Sequence, residues 1–542
     1  MPGSAQPGRT TAADPEQVRD AVARLSLGSG DATEVQRRET HISWLFLTGD
    51  RAYKLKKPLT LPFLDYGTTA RRKYMCQEEI RLNRRLAPDI YLGVRALIPA
   101  PDGLGLADED DPEAIDYLVE MRRYDEHRTL SALIARGELT EGQIQDLART
   151  LAGFHAGCPP ARHRGRHGAA AVEREVARNV EELLALCPPV DERRRVSSLA
   201  RSMRSFIAAH AATLDERAAH GFVREGHGDL RAEHVVLEGS GPRIVDCVEF
   251  DAGLRTLDVA DDLAFLVMDT AALGAEPVGR RLINGYRAAG GDCGESSLLW
   301  FYATHRALVR AKVLLVRAGQ TPAASGGGHS NSIAELTTLS ERFAWRARGP
   351  LTIVICGAPA TGKSHLAAAL AKASGLPVLG SDVVRKGLIG LLPSQRGGPE
   401  LYTEEFNLRT YAELGRRAAS EPRAGGVALV DATFRHRADR AAFRRSFADA
   451  APLVFVQCLA PAPILAERAA ARDRDPARVS DATREVVLRE REAWEPLDEV
   501  DADRHLLLRT DRAAEPMIGE LTALLDERWS QAAGHGTRGN LC

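Results

Sequence analysis

The sequence predicts two domains of different class: an α+β N-terminal half and an α/β C-terminal half built on a parallel sheet flanked by helices. Three observations carry this. Near Gly349-Pro350 the pattern changes from long helical stretches to short apolar strands, glycine turns and helices in alternation. Directly after that change, Gly357, Ala358, Pro359, Ala360, Thr361, Gly362, Lys363 and Ser364 form a G-x-x-x-x-G-K-S run between an apolar strand and a helix. Before it, two β-rich stretches, around residues 44–55 and 235–248, interrupt a mostly helical pattern.

The elements follow in order. Residues 1–14 have the composition of a flexible tail. Trp44–Leu47 and Ala52–Leu55 flank a Thr-Gly-Asp turn and read as a β-hairpin. Arg71–Leu86 reads as a helix stopped near Pro88, and Ala114–Arg122 has the apolar density of a strand. Helical stretches follow at Leu130–Ala135, Glu141–His155, Val172–Leu186 and Arg193–Leu214. Val235–Leu237 and Arg243–Val248 surround the turn Gly239–Pro242, and helices resume from Val259 through Leu315. The Gly- and Ser-rich segment 318–332 reads as a mobile loop, before a last helix, Ile333–Arg346. The strands expected beyond it are Leu351–Cys356, Pro377–Leu379, Val427–Val430, Leu453–Gln457 and His505–Leu508. The expected domains are thus residues 15–347 and 348–542.

Composition removes several functions. The 542 residues include 72 basic and 74 acidic side chains, a net charge of −2, so nothing suggests a nucleic-acid partner held by phosphate neutralisation. No apolar run approaches the ~18 residues of a membrane span, and the first thirty residues lack a signal-peptide core, so no membrane association is expected. Cys76, Cys158, Cys187, Cys247, Cys293, Cys356, Cys458 and Cys542 are scattered, with no CxxC pair and no zinc-ligand spacing, as in a reduced, cytoplasmic protein. Only eight basic residues are lysine, a bias that fits a GC-rich coding sequence. Three of the eight lie within Lys54–Lys57 and another is Lys363.

The G-x-x-x-x-G-K-S run, a Walker A pattern, is a nucleotide site for a physical reason. Its glycines let successive backbone N–H groups converge on phosphate oxygens at a helix N-terminus. Lys363 then reaches the β- and γ-phosphates, and the Ser364 hydroxyl can ligate Mg²⁺. In parallel α/β sheets chemistry gathers at the carboxyl ends of strands. There stand Asp382, with Arg385 one turn later, and Asp431 within LVDATF, positioned to hold Mg²⁺ through water. Asp382 also suits a helix N-cap. With GAPATGKS, SDVVRK, LVDATF and the arginine-rich stretch Glu467–Arg478, this half resembles small P-loop kinases of the gluconate-kinase, shikimate-kinase and zeta-toxin type. The resemblance implies that Asp382 receives the proton of a substrate hydroxyl and Arg385 holds a substrate anion. It also implies that Arg468, Arg472 and Arg474 reach the transferring phosphate; a solvated basic helix face accounts for these three equally well.

In the N-terminal half, His227-Gly228-Asp229 sits just before the second β-rich stretch and Ile244-Val245-Asp246 ends it. Two acidic residues bracketing a short hairpin fit a catalytic-loop Asp that accepts a hydroxyl proton and a second Asp that holds Mg²⁺. Strand alternation places Lys54 and Lys56 on one face, either one able to grip phosphates, and the Arg71–Leu86 helix offers Glu78 and Glu79 as the holding carboxylate. With HISWLFLTGDRAYKLKKPL, LNRRLAPDIYLGV, HGDLRAEH, IVDCVEFD and LDVADDLAFL, this half resembles the aminoglycoside-phosphotransferase-like kinases, nearest to a subgroup fused to a P-loop domain. The resemblance implies a protein-kinase-like bilobal fold, Asp229 as base, Asp246 as metal ligand, and Asp262 bracing the catalytic loop. One residue departs from the family pattern. The position five residues after the catalytic Asp, normally an Asn that ligates a second Mg²⁺, is His234.

The expected function is ATP-dependent transfer of the γ-phosphate to a hydroxyl of a small metabolite, with Mg²⁺, at two nucleotide sites held by Lys54 and Glu78 in one half and by residues 357–364 in the other. The alternative is a nucleotide-sensing regulator whose N-terminal half is a pseudokinase; His234 favours it, and Asp382 with Arg385 favours the enzyme.

Overall fold

A computed structural model describes residues 35–534 except 41, 62–63, 102, 163, 187–188, 240, 321–331, 396, 424 and 473–493. The expected tail, most of the expected mobile loop and Arg474 lie outside the described residues. The chain forms two compact units, one from residues 1–164 with 220–292 and the other from 165–219 with 293–542.

The first unit opens with six antiparallel strands: β1 (Gln36–Glu39), β2 (Ser43–Thr48), β3 (Arg51–Lys56), β4 (Tyr91–Ala100), β5 (Gly103–Asp108) and β6 (Asp116–Arg122). Their order across the sheet is β1-β2-β3-β6-β4-β5. The alternation of β2 and β3 explains the burial of both faces. Leu47 and Ala52 point to the side covered by the helix Thr69–Asn83, with Cys76 and Ile80 of that helix, while Trp44, Phe46, Tyr53 and Leu55 fill the other. Lys54 and Lys56 therefore face the helix. Thr68 caps its first turn by accepting from the Arg71 N–H, and Arg81 lies in its last turn, both favourable ends.

The helices Leu130–Arg136 and Glu141–Gly157 follow, the latter opened by a Thr140/Gln143 capping box. After residue 220 come β7 (Val223–Glu225), β8 (Val235–Glu238), β9 (Gly241–Ile244) and β10 (Thr256–Asp258), then the helices Val259–Ala272 and Glu276–Ala288. β8 and β9 form a hairpin, and β7 pairs antiparallel with β10. The helices expected from Val259 through Leu315 are separated at Gly274 and at Gly290, both with positive φ.

The second unit is a five-stranded parallel sheet of β11 (Leu351–Cys356), β12 (Val378–Gly380), β13 (Val427–Asp431), β14 (Leu453–Leu459) and β15 (His505–Arg509), in the order β12-β13-β11-β14-β15. All six residues of β11 are buried, as a central strand covered on both faces requires. One face packs on the helices Lys363–Ser374 and Ala514–Gly534 through Leu366, Leu370, Met517 and Leu521. The other packs on Glu404–Ala418 and Arg437–Phe447 through Tyr411, Leu414, Phe443 and Phe447.

The compact units do not divide at Gly349-Pro350. The helices Ala169–Leu186, Val190–Ala209, Ala211–Ala219, Ser296–Gln320 and Ile333–Arg346 pack with the parallel sheet. Trp345 enters the core of the sheet. The buried Asp526 carboxylate accepts from Arg348 and Ser202, each at 2.6 Å, and its carbonyl accepts from Ser205 at 2.5 Å. These polar groups are buried together, so separating the helices from the sheet would strand them. Among the described residues no helix is long and apolar enough to cross a membrane.

Candidate functional sites

In the first unit the lysines of β3 meet the helix Thr69–Asn83 at Glu79. Lys54 Nζ lies 2.8 Å from Glu79 Oε1 and 2.7 Å from Asp246 Oδ1. Lys56 Nζ lies 2.6 Å from Glu79 Oε2 and 2.5 Å from Glu249 Oε1, to which the Tyr66 hydroxyl also donates. Glu79 therefore bridges two ammonium groups. Lys56 is fully enclosed, whereas Lys54 keeps contact with the crevice at Asp246, whose side chain is 45% exposed. Of the two lysines, Lys54 is the one that keeps some exposure, 12% against 0%.

Glu79, not the expected Glu78, is the carboxylate that holds Lys54. Glu78 pairs with Arg81 at 2.8 Å and approaches Arg255 at 3.6 Å. One residue along a helix turns the side chain by about 100°, which takes Glu78 off the face that covers the sheet and puts Glu79 on it. Glu249 and Tyr66 were not singled out from sequence. The signal for Glu249 lay in the run IVDCVEFD, where it stands between the apolar Val248 and Phe250.

Asp229 lies on the loop before β8. Gly228 has φ 85°, and a Cβ there would come within 2.9 Å of the Leu254 carbonyl, so only glycine fits this turn. Asp262 braces the loop: its carboxylate accepts from the His227 and Gly228 N–H groups at 2.7 and 3.0 Å and lies 3.3 Å from His155 Nε2. Arg231 Nε reaches both Asp229 oxygens, at 2.9 and 3.1 Å. Burial pushes the Asp229 carboxyl up, but Arg231 outweighs it and holds the group below the usual range. At Asp246 burial is likewise overcome, chiefly by Lys54, and the carboxyl stays ionised. Lys54 in turn stays protonated, its burial outweighed by Asp246 and Glu79. Asp246 has φ 64°, a left-handed conformation rare outside glycine, which turns its carboxylate back toward Lys54 and His234. Burial and then Arg231 push His234 down to about 4, so its imidazole is neutral.

In the second unit β11 runs into the phosphate loop. Gly357, Ala360 and Gly362 have φ of 136°, 66° and 89°. These left-handed residues curl the backbone so that its N–H groups turn inward. Lys363 opens the helix Lys363–Ser374, and its Nζ donates to the Ala358 carbonyl at 2.9 Å, closing the loop on itself. Pro359 and Thr361 complete the turn, with Thr361 Oγ1 donating to Ala358 at 2.7 Å. Ser364 is exposed at the same helix N-terminus.

Parallel register sets Asp431 beside Ile355 of β11 and beside Gly380 of β12. Asp382 follows on the helix Ser381–Gly387, with Arg385 Nε 4.0 Å from its carboxylate. Burial pushes the Asp382 carboxyl up, with Arg385 opposing and Asp431 reinforcing. Arg385 is buried; its NH1 donates to the Leu401 carbonyl and to Asn407, both at 2.6 Å, while its Nε, 4.0 Å from Asp382, makes no hydrogen bond. Of the expected lid arginines, Arg468 donates to the Thr510 carbonyl at 2.5 Å and lies against Gly362. Arg472 ends the helix Ala462–Arg472.

Oxygen donors suit Mg²⁺ at both places: Asp246 in the first unit, Ser364 and Asp431 in the second. Among the described residues no cluster of three or more His, Cys, Asp or Glu forms a protein-only metal cage. A cation here would share one or two side chains with nucleotide phosphates, the usual mode for Mg²⁺.

Two family models match this chain. The model of the phosphotransferase enzyme family matches residues 44–292, stopping where the first compact unit ends. The AAA domain model matches residues 352–497. Uncharacterized proteins of Mycobacterium tuberculosis and Mycobacterium bovis are each 33% identical over 463 residues, covering 84% of this chain and 89% of the relative. Among solved structures, a gluconokinase from Sinorhizobium meliloti is 22% identical, covering 35% of this chain and 99% of its own, with a TM-score of 0.27. A choline/ethanolamine kinase family protein from Mesorhizobium loti is 14% identical, covering 60% and 92%, with a TM-score of 0.36.

Proposed function

This chain belongs to the same family as these mycobacterial proteins, and from that premise we propose an ATP-dependent phosphotransferase with two nucleotide sites, each acting on a hydroxyl of a small metabolite. Its phosphotransferase-family and P-loop AAA regions support the coarser statement, a kinase-type, nucleotide-binding protein. The observation that carries the finer one is the contact between Lys54 and Asp246 at 2.7 Å, which joins a phosphate grip to a metal-binding carboxylate across 192 positions of sequence.

In the first unit Lys54 would hold the α- and β-phosphates, and Glu79 keeps its ammonium in place. Asp246 would hold Mg²⁺. Asp229 would orient the acceptor hydroxyl and take its proton as the new bond forms. In the second unit the backbone of residues 357–362 and Lys363 would cradle the phosphates. Ser364 and Asp431 would hold Mg²⁺, and Arg468 lies against the same loop. Asp382, kept from ionising easily by burial, suits acceptance of a hydroxyl proton, and Arg385, whose Nε makes no hydrogen bond, would face an anionic group of the acceptor. ATP supplies the transferable phosphoryl group, and Mg²⁺ offsets its charge.

The rival reading, a nucleotide-sensing regulator with an inactive first unit, is favoured by His234 in place of the usual Asn. ADP release from Mg-ATP with a panel of sugars, sugar acids, aminoglycosides and nucleotides separates the two. Acceptor-dependent release that is lost in part with Lys363→Ala and in part with Asp229→Ala is the expected result. Tight ATP binding with no acceptor-dependent release would sink the phosphotransferase in favour of the regulator.

A further inference from the structure

The position where a kinase of this kind places its second Mg²⁺ ligand does not accommodate a metal in this chain. His234 stands five residues after Asp229, and both of its ring nitrogens are engaged. Nδ1 lies 2.9 Å from the Asp229 carbonyl oxygen, which can only accept, so Nδ1 carries the proton. Nε2 lies 2.9 Å from Arg231 NH2, which can only donate, so its lone pair is taken. The neighbouring oxygen donor, Glu233, is turned to Arg231 NH1. The third nitrogen of the same guanidinium, Nε, spans the two oxygens of Asp229.

Arg231 is thus a buried cation, 6% exposed, with all three nitrogens committed to groups that surround the second-metal position: Asp229, Glu233 and His234. Asp246 Oδ2 is 3.6 Å from His234 Nε2, so the imidazole that Arg231 engages also borders the carboxylate expected to hold the first metal. A divalent cation entering here would meet a fixed positive charge in place of an oxygen ligand. Mg²⁺ takes oxygen ligands in near-octahedral geometry and has no use for an imidazole whose lone pair is engaged.

We propose that the first unit takes a single divalent cation, at Asp246, and that the Arg231 guanidinium stands in the electrostatic place of the second. This rests on the reading of the first unit as a nucleotide site. In the transfer the P–O bond to the ADP leaving group breaks and a P–O bond to the acceptor hydroxyl forms. ADP leaves with the electron pair, and the hydroxyl proton passes to Asp229. Arg231 supplies one permanent positive charge beside that proton acceptor, where a two-metal kinase supplies an exchangeable one.

The test counts metal, not turnover. Full-length protein carrying Lys363→Ala and Ser364→Ala, to disable the P-loop, is saturated with a non-hydrolysable ATP analogue, and bound Mn²⁺ is counted by electron paramagnetic resonance. One Mn²⁺ per bound analogue is expected, and two would overturn the proposal while leaving the nucleotide site standing. His234→Asn alone should still bind one, because the guanidinium remains. Arg231→Met with His234→Asn should bind two, and a count that stays at one would show that Arg231 is not what excludes the metal. No analogue binding at all, in the same protein with Lys54 intact, would instead remove the nucleotide-site reading beneath the proposal.

Discussion

At the phosphate loop the groups proposed to meet a nucleotide come from eight consecutive residues, Gly357 to Ser364, and most are backbone N–H groups fixed by three left-handed residues. In the first unit the corresponding groups are side chains drawn from β3, the Thr69–Asn83 helix and the loops at Asp229 and Asp246, and each is held by an opposite charge. A backbone cradle needs only local conformation, so a short motif specifies it. A side-chain site needs buried charges that pay for one another's desolvation, so its members reach well beyond the residues that could touch a substrate. Lys56 and Glu249 are such members: they face no crevice, yet they anchor Glu79 and the segment that carries Asp246.

The widest separation between the sites should appear in turnover. Once acceptors are found, Asp229→Ala in a Lys363→Ala background should lower the remaining ADP release by about 10²–10⁴-fold. The same substitution in otherwise intact protein should spare the Lys363-dependent share. Loss of that share too would mean the two sites cannot be treated separately.

Stability comes next. Lys56→Ala leaves Glu79 and Glu249 buried with an uncompensated charge, and should cost about 3–5 kcal/mol in urea unfolding of the first unit. A loss below about 1 kcal/mol would break the contrast between a charge-welded site and a backbone one.

Acid sensitivity should also differ. The Asp229 carboxyl is held below its ordinary value of 3.8 and the Asp382 carboxyl above it. A proton acceptor must be ionised, so as pH falls the P-loop site should lose kcat/KM first, at a pH above 3.8, and the first site later. Profiles measured in Asp229→Ala and Lys363→Ala proteins check this, and coincident acid limbs would contradict it. Asp262, also depressed, contributes stability that is present above its unfolded value and lost as pH falls below it, so the Asp229 loop should loosen only in acid.

The smallest contrast lies between neighbours on one helix. Glu79→Gln should raise the KM for ATP at the first site by about tenfold. Glu78→Gln removes a partly exposed pair with Arg81 and should change stability by less than about 1 kcal/mol with KM unchanged. Equal effects would return the holding role to Glu78.

The sequence was most readable where period and punctuation agreed. β11 and the helix Ile333–Arg346 lie where the pattern placed them, the first as an unbroken apolar run, the second behind a Ser332/Glu335 capping box. β4 and β5 were missed. A bulge at Gly93 shifts the register of β4 and Pro99 interrupts its end, so two-residue alternation is lost. The helix expected over Arg193–Leu214 ends at His210, where only the local backbone turn marks the break.

By itself the sequence determined the phosphate loop, the parallel sheet around it, the Lys54 strand and the acidic pair Asp229 and Asp246, because each depends on residues adjacent in the chain or on one element's period. Tertiary structure alone decided that Glu79 rather than Glu78 holds Lys54, that Lys56 is enclosed, and that Arg231 fills the space at His234. It also decided that the helices of residues 165–219 and 293–346 pack with the parallel sheet. Those outcomes turn on which buried charges end within hydrogen-bonding distance of one another. Such a distance is set by the packing of elements far apart in sequence, and no local pattern records it.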